Sequence, residues 1–190
     1  SQKSNNWLRL YTFRKAGVLF LKKLFDNEIV LESKHNSSNQ LNFGNGRAYR
    51  TAKYKQNSNE MIKKFVELEI DIPEKVPLAV YIKYYYPTPK SGGLPITRHT
   101  KDLDSTKSVL DSLMQAGKII NTRNGISEAM FDDSQVVMEL LEKKYWNNSL
   151  YGLHIQVIEL EKGDDLEDVR NSLGGNSFGF IWFIFKVWLW

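Results

Sequence analysis

Cysteine is absent from the 190 residues, so disulfide staples and thiolate metal centres are excluded, and a reducing, cytoplasmic setting is the expected one. Histidine is nearly absent. His35, His99 and His154 are too scattered to suggest an imidazole cluster, and each is read as structural. Neither sign of charge dominates: 26 basic side chains against 22 acidic ones leave +4, which permits an acidic polymer as partner without pointing to one. No cleavable signal is expected, because residues 1–6 are polar and the apolar stretch 17–25 is broken by Lys22 and Lys23. The longest apolar run, residues 178–190, is interrupted only by Gly179 and Lys186 and falls short of the roughly 20 residues a membrane-spanning helix needs. Its aromatic and β-branched content suits a buried or interface strand, with membrane-surface insertion or self-association as the alternatives. Internal repeats and low-complexity segments are also missing.

What is present, 42% apolar and 25% charged residues, suits one globular domain with a proper core and extensions. Strand-like runs at residues 7–13, 18–24 and 29–32, parted by Lys15-Ala16-Gly17 and Asp26-Asn27, predict a small meander. Ser, Asn and Gly dominate the loop at 34–46, and residues 47–66 carry a charged pattern suited to an exposed helix. Residues 78–86 predict a strand entered after Pro77 and closed by Pro87; Tyr84, Tyr85 and Tyr86 within it are read as packing groups, with base stacking as the alternative. The loop 88–101 holds Pro89, Gly92, Gly93 and Pro95 beside Lys90, Arg98, His99 and Lys101. Val109, Leu110, Leu113 and Met114 fall at helical spacing, which predicts a helix over residues 105–116 stopped at Gly117. Residues 118–131 are polar and irregular around Asn124-Gly125. Residues 135–145 and 153–160 predict a hairpin joined through Asn147, Asn148 and Gly152, and 161–168 a charged linker or short helix.

Asp102-Leu103-Asp104 sets two carboxylates at i and i+2, which face apart on a helix but share a side on an extended segment. Both reach one cation only from extended residues just ahead of the helix. Asp132-Asp133 stands at the mouth of the 135–145 strand, so a fold that lays this strand beside the helix start gathers three or four carboxylates. Oxygen-only ligation suits magnesium or manganese, which keep several waters and accept phosphate oxygens. Such a site activates water and neutralises charge in phosphodiester hydrolysis. The plain alternative is that these are turn and cap residues, with Asp104 capping the helix.

Lys101-Asp102-Leu103-Asp104, then Lys107 and Asp111-Ser112-Leu113 on a helix reaching Ala116-Gly117, then Asp132-Asp133-Ser134-Gln135-Val136-Val137, together resemble the signature of the RusA family of Holliday-junction resolvases. That signature is a basic residue, Asp-x-Asp-Asn, a helical Lys, Asp-Ala-Leu, and an Asp-Asp-(Ala/Ser)-Gln-Val-Val strand. Ser38-Asn39 and Gly46-Arg47-Ala48-Tyr49-Arg50 resemble the family's Ser-Asn loop and the Ala-Tyr-Arg start of its first helix. The resemblance spans residues 28–161, between an N-terminal β extension at 1–27 and a C-terminal apolar extension at 162–190. It implies an α+β fold, a mixed β-sheet with helices packed on one face. It also implies a homodimer that matches a two-fold-symmetric four-way DNA junction, each subunit cutting one strand, with no membrane partner.

By the same resemblance, Asp102, Asp104 and Asp133 are catalytic ligands of magnesium or manganese. Lys107 is catalytic or contacts phosphate, Lys101 contacts DNA, and Asp132 is a secondary acid. Lys90 and Arg98, shortly before the carboxylates, join Lys101 as expected DNA contacts, since phosphate neutralisation drives such binding; a merely solvated loop is the alternative. Three positions differ from the family. Ser105 replaces its Asn, residues 118–131 greatly exceed its link, and Lys107 follows Asp104 by three residues instead of four, a change of about 100° of helix. Lys107 and Asp111 are also an i,i+4 pair, so an ordinary surface contact stands beside the catalytic reading. Two rival functions remain: a junction-binding protein that does not cleave, and a magnesium-dependent phosphohydrolase of small substrates.

Overall fold

The computed structural model describes residues 9–14, 17–36, 41–44, 46–90, 92–95, 106–126 and 132–173. In chain order the strands are β1 (Arg9–Arg14), β2 (Gly17–Leu31), β3 (Leu41–Gly44), β4 (Arg47–Arg50), β5 (Leu78–Pro87), β6 (Val136–Trp146) and β7 (Tyr151–Glu159). The helices are α1 (Ala52–Glu67), α2 (Thr106–Arg123) and α3 (Leu166–Ser172). Five strands form one sheet in the order β1-β2-β7-β5-β6, and β3 and β4 pair separately. β5 runs parallel to β6 and antiparallel to β7, so the sheet is mixed and the class is α+β. None of the described helices is long and apolar enough to cross a membrane.

β5 is the most buried strand, and its alternation divides the core. Leu78, Val80, Ile82, Tyr84 and Tyr86 point to one face, where they meet Met61 and Phe65 of α1 and Val109, Leu113 and Met114 of α2. The tyrosine run is therefore packing, as expected. Ala79 and Tyr81 point the other way, toward Leu21, Ile158, Val169 and Leu173. Only α1 and α2 thus share a face; α3 closes one end of the opposite face through Val169. The expected extension at 162–190 accordingly begins with residues that belong to the core. The expected boundary after residue 27 likewise falls inside β2, which pairs with β7 on both sides of that point.

Several elements differ from the sequence expectation for local physical reasons. Residues 47–50 are strand, not helix, because α1 starts where Thr51 caps it, its Oγ1 accepting from Tyr54 N–H at 3.2 Å. Gly117 does not stop α2 but lies buried within it. The helix ends six residues further on, at Arg123, ahead of Gly125 at φ +85°, where Gly125 N–H donates to the Thr122 carbonyl and Ile126 N–H to the Asn121 carbonyl. That is the paired bonding of a glycine-terminated helix. The 135–145 and 153–160 strands exist but do not form a hairpin, since β5 lies between them. Gly152 fits beneath the Trp146 ring: an added Cβ would stand 2.1 Å from Trp146 Cη2 and 2.9 Å from the Ile29 carbonyl oxygen. The indole is held in place by stacking on Tyr85 at 4.6 Å and by donating to the Leu150 carbonyl at 2.8 Å.

The runs expected at 18–24 and 29–32 fall in one strand, which ends at Leu31, because Asp26 finds partners far along the chain. Its carboxylate accepts from His154 Nε2 at 2.7 Å, Lys23 Nζ at 2.5 Å and Gln156 Nε2 at 3.2 Å. Burial pushes the Asp26 carboxyl up, but the donors His154, Lys23 and Gln156, with the Lys23 charge, outweigh it and hold its pKa at about 2, below the ordinary 3.8. A depressed carboxyl stabilises the fold above its unfolded pKa, and that stabilisation is lost as pH falls from about 4 to about 2. Asp26→Asn should therefore flatten the acid side of the melting-temperature profile across this window. Thermal melts showing the same acid slope in both proteins would remove Asp26 from the account.

The two described histidines, His35 and His154, take structural places. Burial holds His35 neutral at about pKa 4, and its ring lies edge-on to Tyr84, Tyr86 and Tyr151 with Nε2 donating to the Tyr85 carbonyl at 3.0 Å. His154 is committed to Asp26, and His99 lies outside the described residues. So does the apolar run at 178–190.

Candidate active site

Asp133 opens a single 3-10 turn (Asp133–Gln135) that leads directly into β6. Two side chains fix this turn. Asp132 caps it by accepting from Ser134 N–H at 2.8 Å, a bond that draws the exposed Asp132 carboxyl below its ordinary pKa. Gln135 Nε2 donates to the Pro73 and Val76 carbonyls at 3.1 and 3.0 Å, tying the turn to the segment ahead of β5.

α2 begins beside this turn. Lys107, in its first turn, reaches across 26 residues of sequence to place Nζ 2.7 Å from Asp133 Oδ2 and 3.5 Å from Asp111 Oδ1. The hydrogen bond to Asp133, reinforced by Asp111, raises the Lys107 pKa and keeps the ammonium charged. The three-residue spacing after Asp104 therefore does not turn Lys107 away from Asp133. The i,i+4 contact of Lys107 with Asp111 is present beside the long-range one to Asp133.

Two residues of this neighbourhood carried no sequence signal as site residues. Arg50, at the end of β4, stands 3.5 Å from Asp111 Oδ2 and lies over the Tyr54 ring at 4.1 Å, so Arg50 and Lys107 flank one carboxylate. Glu139 on β6 hydrogen-bonds Thr106; desolvation raises its carboxyl pKa, and the Thr106 bond partly offsets that rise. A lone Glu in a strand matches no motif, and only the pairing of β6 beside the start of α2 makes it a neighbour. Lys90 falls elsewhere, past the C-terminal end of β5, whereas Asp133 precedes the start of the parallel β6. The length of β5, roughly 30 Å of strand, separates those two ends. Arg98, Lys101, Asp102 and Asp104 lie outside the described residues.

No protein-family model matches the chain, and no curated protein matches its sequence.

The chemistry of the site therefore rests on its own groups. Among the described residues, no three carboxylate or imidazole side chains converge to hold a cation. The described donors here, Asp132, Asp133 and Glu139, are all oxygen acids, the set that suits magnesium or manganese. Asp102 and Asp104 precede Thr106 by four and two residues in the sequence.

Proposed function

We propose that the chain is a magnesium-dependent DNA endonuclease that cuts four-way junctions as a homodimer in the cytoplasm, in line with its resemblance to the RusA resolvases. The observation that carries this reading is the 2.7 Å contact of Lys107 with Asp133. It joins the two halves of the motif, helix start and Asp-Asp turn, at the point where the chain arrives from Asp102 and Asp104.

Magnesium held by Asp102, Asp104 and Asp133 would supply charge neutralisation and an activated water. The protein's own groups have distinct tasks. Lys107 orients the Asp133 carboxylate and presents a cation to the scissile phosphate, where negative charge grows during in-line attack. Arg50 adds a second cation within reach of the same backbone, and Asp132 holds the turn that carries Asp133. The rival reading is a junction binder that does not cleave, the outcome expected if the Lys107 ammonium holds Asp133 out of metal ligation.

The deciding experiment is incubation of the full chain with a synthetic four-way junction and matched duplex, with magnesium or with chelator. Junction-selective, magnesium-dependent incision supports the nuclease; binding without incision establishes the binder. Lys107→Met should lower incision by about 100-fold or more, the usual cost of removing a charge-stabilising donor. It should leave the melting temperature nearly unchanged, since exposed ion pairs add little stability. Unaltered incision would leave Lys107 as a surface partner of Asp111.

A further inference from the structure

Among the described residues β6 is an edge strand, paired with β5 on one side only. Its first residues are irregular: Val136 pairs with Leu78 and Met138 with Ala79, so Val137 is the extra residue of a bulge. From 138 to 144 the register is unbroken. A row of open N–H and C=O groups of this length is a template for another strand.

We propose that this edge pairs antiparallel with the same edge of a second copy, centred on Leu141, so that the two sheets become one. A two-fold axis normal to the sheet keeps α1 and α2 on the same side in both copies and sets residues of like parity opposite each other. Centring on Glu139, Glu142 or Lys143 sets each of these against its own counterpart, an unfavourable like-charge pair. Centring on Leu140 creates no ion pair. Centring on Leu141 sets Leu141 against the partner's Leu141 and Glu139 against the partner's Lys143, twice by symmetry. Glu142 then faces an apolar neighbour, but its carboxylate is already engaged by Tyr81 Oη at 2.6 Å and Lys83 Nζ at 3.5 Å.

This deepens the dimer of the proposed function and gives it a geometry. The partner's Lys143 arrives beside Glu139, which is bonded to Thr106 at the start of α2, so each subunit adds a cation to the rim of the other's site. The two Asp133 turns lie at opposite ends of the paired strands. Val136 of one copy is ten residues from that of the other, roughly 33 Å along the strand direction. An interface built mainly on one strand pair is small, so the dimer is concentration-dependent.

The lack of cysteine makes the test clean. Leu141→Cys in the full chain places a thiol opposite its own symmetry mate, within the range that mild oxidation can bridge. It should run largely as a covalent dimer on a non-reducing gel. Lys143→Cys, four residues out of register with its counterpart and so roughly 13 Å away, should stay monomeric. In sedimentation at micromolar concentration, Lys143→Glu should dissociate the native dimer, and Lys143→Glu combined with Glu139→Lys should restore it, with circular dichroism confirming that each variant is folded. A native chain that sediments as a monomer, including one whose edge is covered by residues 174–190, overturns the proposal. So does a dimer in which Leu141→Cys fails to cross-link. A dimer without junction cleavage would overturn the nuclease and leave this interface standing, and cleavage by a monomer would do the reverse.

Discussion

Asp102→Asn, Asp104→Asn and Asp133→Asn should each abolish junction incision while junction binding survives. Each exchange removes one ligand charge at nearly constant shape, which weakens the cation far more than the fold. Loss of an outer-shell partner of a metal site already costs about 10- to 100-fold, so loss of a ligand should reach about 100-fold or more in single-turnover incision. Asp133→Asn has a second effect, because the Lys107 ammonium loses its closest counter-charge. Its raised pKa should fall back and the side chain should turn toward Asp111. Asp132→Asn should be milder, since the amide oxygen can still accept from Ser134 N–H and cap the turn. Full incision by any two of the three principal variants would end the three-carboxylate mechanism.

The largest effect on stability should come from Phe65→Ala. Phe65 is fully buried on α1 and meets the Phe25 ring edge-on at 6.1 Å, so it fastens the helical layer to β2. Truncating a buried phenylalanine removes its transfer free energy and leaves a cavity, at a cost of about 3–5 kcal/mol. For a chain of this size each kcal/mol corresponds to about 2–4 °C, so thermal melts should show a fall on the order of 10 °C. A shift of only a degree or two would mean that α1 is fastened to the sheet by other contacts. The polar seam at the edge of α1 is the nearest rival: Glu60 accepts from the Glu32 and Ser33 backbone amides at 2.6 and 3.1 Å.

Local chemistry was readable wherever it acted locally. β5 follows from an apolar and aromatic run, interrupted only by Lys83, between Pro77 and Pro87, and the start of α2 from the spacing of Val109, Leu110, Leu113 and Met114. Lys107 and Asp133 were legible as a pair only through the motif, because neither periodicity nor charge pattern links residues 26 apart. The misread elements are those whose deciding partner is distant. Asp26-Asn27 has the composition of a turn, and only His154 and Gln156, 128 and 130 residues later, make it strand. Gly117 resembles a helix stop until the true glycine terminus at Gly125 is seen. Arg50 and Glu139 became site neighbours through sheet order and helix placement, which no single segment encodes.

The insertion of β5 between β6 and β7 also bears on how the chain finds its fold. Only residues 147–150 separate those two strands, so in the collapsing chain their direct zippering closes a much shorter loop than either pairing with β5. That hairpin is non-native. The slot it closes belongs to β5, which leaves the ribosome about fifty residues ahead of β6 and must stay unpaired, apolar and aggregation-prone until both later strands reach it. Trp146 biases the outcome: its indole holds the Leu150 carbonyl and covers Tyr85 of β5, so the connection closes around the central strand instead of shutting it out. Refolding is thus a competition between a cheap local closure and a costly three-strand one, with the aromatic stack rewarding the second.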